Sequence, residues 1–226
     1  MNSKEQILKN IKYIFFDVDG TLFSSEEMLE VVYQETIAKF FEKKNINQKL
    51  PTLSEILPYI GLPVKEIFNH LLPYLSEEER EEISQNILLE LVNRIYKGEG
   101  IHYEGVEETL KYLYNKNYKI FSASNGRKAY VEAILKVNRI YDYFLEIPCI
   151  DNKNIFNKVQ LVKDVIERYR LESEFCVLIG DRKSDRVAAF ENQIHFIAAE
   201  YGHGSSQERE GALLRIHSIK ELKNYL

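Results

Sequence analysis

The stretch Phe15-Phe16-Asp17-Val18-Asp19-Gly20-Thr21-Leu22 sets two aspartates, two residues apart, at the end of an apolar run. The run begins at Tyr13 and reads as a strand over Tyr13–Asp19, with Gly20 breaking it. Strand side chains alternate between faces, so Asp17 and Asp19 share a face if the strand continues regularly through them. Carboxylates crowded at a strand end repel unless a proton or a cation intervenes. A hard divalent metal with oxygen ligands is the usual answer. Asp-Gly is also a common turn dipeptide, so an acidic turn is the plainer reading of the short string alone.

Three further strings lie downstream. Tyr118-Lys119-Ile120-Phe121-Ser122-Ala123-Ser124-Asn125-Gly126 is an apolar run ending in a polar turn. Lys158 opens an amphipathic helix, Asn157–Arg170, whose apolar stripe is Leu161, Val162, Val165 and Ile166. That stripe favours Lys158 over Lys163 as the lysine at the exposed helix start. Val177-Leu178-Ile179-Gly180-Asp181-Arg182-Lys183-Ser184-Asp185 is an apolar strand followed by two spaced aspartates. Each has a plainer reading: Ser-Asn-Gly is an ordinary turn, a lysine in a first helical turn is commonly solvated, and Ser184-Asp185 can cap the next helix.

Around these strings, strand and helix alternate, which predicts an α/β fold with a mainly parallel sheet. Strands are expected near Tyr13–Asp19, Tyr118–Ser124, Leu145–Ile150, Phe175–Asp181 and His195–Ala199. Helices are expected near Gly105–Asn115, Arg127–Lys136, Asn157–Arg170, Arg186–Glu191 and Ile219–Leu226. The segment from about Ser25 to Gly98 breaks the alternation. It carries helical periodicity over Glu26–Lys44, Val64–Leu72 and Ser76–Tyr96 and no convincing strand. Ser76-Glu77-Glu78-Glu79 reads as an N-cap with acidic residues in the first turn. The division expected is an α/β core over 1–24 and 99–226 and a helical insert over 25–98. Its hinges are expected at Phe23–Glu26 and Lys97–Gly100.

Composition narrows the partners. The chain has 226 residues, 45% of them hydrophobic, and a net charge of −5. An acidic chain without a basic run argues against a nucleic-acid surface. An anionic substrate then needs positive charge concentrated locally. No stretch reaches the length of a membrane span, and the first residues lack the apolar core of a signal peptide. Cys149 and Cys176 lie in apolar runs and read as small buried residues, not a disulfide framework. A reducing cytoplasm is the expected location. His70, His102, His195 and His217 show no metal-ligand spacing.

Taken in order, the four strings resemble the four motifs of the haloacid dehalogenase-like (HAD) hydrolases, over essentially the whole chain. The stretch Ala199-Glu200-Tyr201-Gly202-His203-Gly204 is similar to one common in the phosphoglycolate-phosphatase-like branch. Tyr201 and His203 there approach the site or merely belong to a glycine-rich loop. The resemblance implies a Rossmann-like core with a small all-helical cap of the C1 type inserted after the first strand. It implies that Asp17 is the nucleophile, forming an aspartyl-phosphate, and that Asp19 is the general acid and base. The family's dehalogenases lack this second aspartate, since a halide needs no proton. Ser124 would hold the phosphoryl oxygens, with Asn125, Gly126 and Thr21 also on the substrate, and Lys158 would neutralise charge. The family often has Lys-Pro where this chain reads Lys158-Val159. Asp17, the backbone carbonyl of Asp19, Asp181 and Asp185 would form an oxygen shell suited to Mg2+.

The expected function is a Mg2+-dependent phosphatase of a small phosphorylated metabolite, phosphoglycolate or a nucleoside monophosphate first. A phosphomutase of the β-phosphoglucomutase type and a non-catalytic phosphometabolite-binding protein remain alternatives. In the insert, Ile60-Gly61-Leu62-Pro63 reads as a substrate-facing turn or as a plain turn between helices. The insert itself reads as a specificity cap or an oligomerisation surface, so a monomer or a homodimer is expected.

Overall fold

The structure, a computed structural model, describes residues 3–150 and 155–226. Helix α1 (Ser3–Asn10) leads into strand β1 (Tyr13–Phe16), and the short β2 (Phe23–Ser24) follows the acidic turn. Next come α2 (Glu26–Lys44), α3 (Leu53–Ile56), a 3-10 turn over Leu57–Tyr59, α4 (Val64–Leu71) and α5 (Glu77–Tyr96). The chain returns through β3 (Ile101–His102). It then alternates through α6 (Val106–Asn115), β4 (Lys119–Ser122), α7 (Lys128–Val137), β5 (Phe144–Glu146), α8 (Lys158–Tyr169) and β6 (Cys176–Gly180). Helix α9 (Lys183–Glu191), β7 (His195–Ala199), β8 (Leu214–Ile216) and a 3-10 helix over Ile219–Asn224 complete it.

Among the described residues, six strands form one sheet in the order β5-β4-β1-β6-β7-β8, every pair parallel. Such a sheet is covered on both faces, so its central strands β1 and β6 are almost wholly buried and mostly apolar. Alternate residues nevertheless serve different layers. Phe15, Phe121, Leu178 and Phe196 pack with Leu161, Val162 and Val165 of α8 and Ala188 and Ala189 of α9. Ile14, Phe16, Ile120, Val177, Ile179 and Ile197 belong to the opposite layer, with residues of α6 and α7. That second apolar cluster runs on without a break into α2, α4 and α5. Helix α5 bridges the two parts, packing on α2 on one side and α7 on the other.

The α/β class and parallel sheet agree with the sequence reading. The insert helices do too: the Ser76 hydroxyl accepts from the Glu79 N–H, and the Glu79 carboxylate accepts from the Ser76 N–H. Several bounds need correcting. β1 ends at Phe16, not Asp19, and β5 is confined to Phe144–Glu146, short of the expected Leu145–Ile150. The residues following Ile150 to Asn154 lie outside the described residues. Helix α9 starts at Lys183, three residues before the expected Arg186, because the Asp185 carboxylate accepts the Arg182 N–H and nucleates the turn. The expected last helix is 3-10 in form, and α1, α3 and β8 were not read at all. The start of the first hinge segment pairs with the residues just after the second: β2 and β3 run antiparallel, Phe23 with His102 and Ser24 with Ile101. Cys149 and Cys176 are buried. Among the described residues no helix is long and apolar enough to cross a membrane.

Candidate active site

In a parallel sheet every carboxyl end lies on one edge, and ligand sites form just outside it where the strand order reverses. Here β1 is central, with β4 and β5 to one side and β6, β7 and β8 to the other. Residues leaving β1, β4, β6 and β7 therefore converge. The Asp17 N–H still continues the ladder, donating to the Ile179 carbonyl at 2.9 Å. Beyond it the backbone turns, with Gly20 at φ +80°. A side chain at Gly20 would meet the Asp181 carboxylate at 2.6 Å.

Because the strand stops at Phe16, Asp17 and Asp19 do not act as neighbours on one face. Asp17, Asp181 and Asp185 cluster instead, one carboxylate oxygen of each lying within 4.8 Å of the others. The Lys158 ammonium donates to Asp17 Oδ1 at 2.7 Å and to Asp185 Oδ1 at 2.5 Å. Lys158 is 2% exposed, so the expectation of an exposed helix start is corrected. Asn157 caps α8 by accepting from the Gln160 N–H, which brings Lys158 in at the first helical position. Lys163 is the exposed one, paired with Glu167. Burial would lower the Lys158 pKa, but Asp17 and Asp185 outweigh it and hold the ammonium charged.

Burial pushes the Asp17 carboxyl well above its ordinary range, and repulsion from Asp185 adds to this while Lys158 opposes it. Asp181 is pushed up to about 6, by burial first and Asp185 second. Its Oδ2 accepts the N–H groups of His203 at 2.7 Å and Gly204 at 3.0 Å. Its Oδ1 is buried with no partner among the described residues. Three carboxyl groups face one ammonium, a surplus of acidic groups that a divalent cation would balance. The orphaned Asp181 oxygen and the all-oxygen donor set fit such an ion. Asp185 also serves the plainer role read for it, since its Oδ2 accepts the Arg182 N–H at 2.8 Å.

Asp19 faces the other way. Its Oδ1 accepts from Ser25 Oγ at 2.9 Å and from the Tyr130 hydroxyl at 2.6 Å. Its carboxylate therefore lies outside the metal-type cluster, and only its backbone carbonyl remains for the metal role expected of it. Burial raises the Asp19 carboxyl, and the Tyr130 and Ser25 hydrogen bonds work against that rise. Tyr130 itself, buried and beside Asp19, is pushed well above the ordinary phenol range and so stays a donor.

A cavity of about 80 Å³ lies over Asp17 and Asp19. Ser124, Asn125 and Gly126 border it, with Ile60, Gly61 and Leu62 from the insert. The Ser124 hydroxyl accepts from the Gly126 N–H at 3.0 Å. Asn125 donates to the Gly61 carbonyl at 2.7 Å, so the Ile60–Pro63 turn is both a structural joint and part of the wall. Thr21 is buried, its hydroxyl without a partner among the described residues, and it is not among the cavity's lining. Arg182 pairs with Glu208 at 3.3 Å and also donates to the Pro58 carbonyl at 3.3 Å.

The sequence reading missed Tyr130, Ser25 and Arg209, and left the loop after β7 undecided. That loop does reach the site, through its backbone. The Tyr201 hydroxyl donates to the Thr21 carbonyl at 2.9 Å, and His203 Nδ1 lies 2.6 Å from Glu26. A side chain at Gly202 would sit 2.3 Å from the Gly20 carbonyl oxygen, so only glycine admits this approach. The repeated glycines of Tyr201-Gly202-His203-Gly204 were the available signal.

The buried carboxylate cluster and its lysine thus lie below a cavity at the carboxyl edge of a parallel, Rossmann-like sheet. Residues 14–199 match the model of the haloacid dehalogenase-like hydrolases, and the chain belongs to that family. A pyrophosphatase PpaX from Listeria welshimeri is 26% identical over 77% of this chain and 76% of that protein. A 5'-nucleotidase from Pseudomonas aeruginosa is 25% identical over 86% of this chain and 85% of its own length. In fold, the chain superposes on a protein described as a predicted phosphoglycolate phosphatase from Haemophilus somnus with a TM-score of 0.82. That match spans 95% of this chain and 97% of the other at 17% identity.

Proposed function

We propose that this chain is a Mg2+-dependent phosphatase that hydrolyses a small phosphorylated metabolite through an aspartyl-phosphate on Asp17. The observation that carries this reading is the setting of Asp17. It meets Lys158 at 2.7 Å, shares the Asp181–Asp185 cluster, and opens onto the cavity that Asp19 also lines. The phosphatase activity named for the bacterial relatives supports it. Asp17, Asp181, Asp185 and the Asp19 carbonyl would hold Mg2+, which when bound supplies positive charge to the phosphoryl oxygens.

Phosphoryl transfer is mainly positioning and charge neutralisation. Asp17 attacks phosphorus, and the bond to the leaving oxygen breaks as the new acyl-phosphate bond forms. Lys158 orients the Asp17 carboxylate and opposes the rise in pKa that burial and Asp185 impose on it. Asp19, protonated, delivers its proton to the departing alkoxide, then takes one from the water that cleaves the acyl-phosphate. Tyr130 and Ser25 hold its carboxyl in place between those steps. Ser124 and the Asn125 N–H bind the phosphoryl oxygens, while the Gly126 N–H holds the Ser124 hydroxyl in place.

In this reading 1–24 and 99–226 form the catalytic core and 25–98 a cap that selects the leaving group and excludes water. The acidic surface leaves the partner a small molecule and not a nucleic acid. The buried cysteines fit a reducing compartment, and we place the enzyme in the cytoplasm on that ground.

Phosphate release from a panel of phosphate esters, with Mg2+ and with EDTA, tests the reading: release must require the metal. Asp17→Asn should nearly abolish turnover in a protein of unchanged circular dichroism, and near-normal turnover would remove Asp17 as nucleophile. Asp181→Asn should weaken Mg2+ binding by tenfold or more. A calorimetric Mg2+ titration indistinguishable from that of the parent would refute the metal assignment.

A further inference from the structure

We infer that the preferred ester carries an uncharged leaving group with an apolar or aromatic body, seated inside the helical insert. The inference rests on the phosphatase reading and narrows it. The cavity over Asp17 and Asp19 does not stop at the joint between core and insert; it rises between α2, α4 and α5. Its far walls are Leu29 and Tyr33 of α2, Phe68 of α4, and Ile87 and Leu91 of α5. The Tyr33 and Phe68 rings stack with centroids 5.7 Å apart and planes 10° from parallel. Helix-bundle interiors are ordinarily filled to crystal-like density. Here apolar side chains border space continuous with the catalytic carboxylates, so that space is available to a ligand of matching polarity.

Charge in the chamber points the same way. Among the described residues lining it, Arg127 is the one cation. Its guanidinium is already committed, donating to both carboxylate oxygens of Glu81 at 2.9 Å. A second phosphate or a carboxylate on the leaving group would enter without a free counter-charge, which an apolar wall penalises heavily. A polyhydroxylated sugar would leave several hydroxyls facing hydrocarbon. The wall offers two unpartnered polar atoms. Asn125 Oδ1 lies on the core side, and Ser84 Oγ, on the buried face of α5, lies among the apolar side chains; neither has a partner among the described residues. Within the insert, Ser84 provides for one hydrogen bond to the leaving group.

The test compares kcat/KM, with Mg2+, for phenyl phosphate and pentyl phosphate against phosphoglycolate, pyrophosphate and ribose 5-phosphate. The first two should exceed the other three by about tenfold or more, chiefly through KM. Leu91→Phe, which narrows the chamber, should raise KM for phenyl phosphate severalfold. Should that variant fail to fold, binding to the unaltered protein decides. In calorimetry benzylphosphonate should bind about tenfold or more tightly than phosphonoacetate. Fastest release from phosphoglycolate, pyrophosphate or ribose 5-phosphate would overturn the inference and leave the phosphatase reading standing. No release from any ester would bring down the phosphatase reading, and this inference with it.

Discussion

Asp17 and Asp19 are two residues apart and live in different surroundings. Asp17 is tied to an ammonium and two carboxylates; Asp19 is tied to two hydroxyls. Environment, not residue type, divides the roles proposed for them. Tyr130→Phe should therefore lower kcat about tenfold, roughly 1.4 kcal/mol of lost stabilisation, with KM little changed. Steady-state kinetics on the variant checks it, and an unaltered kcat would free Asp19 from any dependence on Tyr130. At this scale the sequence was informative where a residue ends a strand or starts a helix within one short string. Asp17, Ser124, Lys158, Asp181 and Asp185 are all of that kind, and the structure brings them to one edge. Tyr130 was not legible because its hydrogen bond to Asp19 spans 111 positions, and nothing local in α7 announces it. The burial of Lys158 was missed for a related reason: periodicity shows which helix face is apolar, not what lies above its first turn.

The loop after β7 shows how one element is made rigid enough to hold a carboxylate. Arg209, 4% exposed, threads its guanidinium among carbonyl oxygens. It donates to Asp181 at 3.2 Å, to the Glu200 backbone at 3.1 Å, to Gly202 at 3.2 Å and to Gly204. Its charge is balanced by Glu200 Oε2 at 2.7 Å. Arg209→Met should cost about 3 kcal/mol of stability, since it strands a partly buried carboxylate and several carbonyls. Urea unfolding measures that cost, and a loss below about 1 kcal/mol would show that the loop holds itself. Burial alone would raise the Glu200 carboxyl, but Arg209 and Arg215 outweigh it and set it below its ordinary value of 4.5. A lowered folded pKa stabilises the fold above about pH 4.5, and that stabilisation is lost as the pH falls through the lowered value. Glu200→Gln should accordingly flatten the acid limb of a stability-against-pH curve. Neither Arg209 nor β8 was legible beforehand. Leu214–Ile216 has three residues, too few for alternation to register, and Arg209 is one cation in a polar stretch.

Across the whole molecule, core and insert meet through polar ties at the sheet's carboxyl edge. Asn125 reaches Gly61, Arg182 reaches Pro58, and His203 reaches Glu26. Asn125→Ala should speed amide hydrogen exchange over 57–64 while leaving the strands of the sheet protected. Exchange followed by mass spectrometry would show it, and an unchanged pattern would mean that the apolar contacts of α5 with α7 alone seat the insert. The helical character of the insert was legible because α2 and α5 are long and periodic. Its seating was not, because that depends on single carbonyls in turns. The ribbon of β2 and β3 carries one more consequence. Phe23 and His102 are paired neighbours, so the chain leaves for the insert and returns from it at one place. Closing such a loop costs little more when it lengthens and little less when it shortens. Length changes between the two strands can therefore leave strand register undisturbed, and on the proposed function a lineage built this way can change what it recognises while keeping its chemistry.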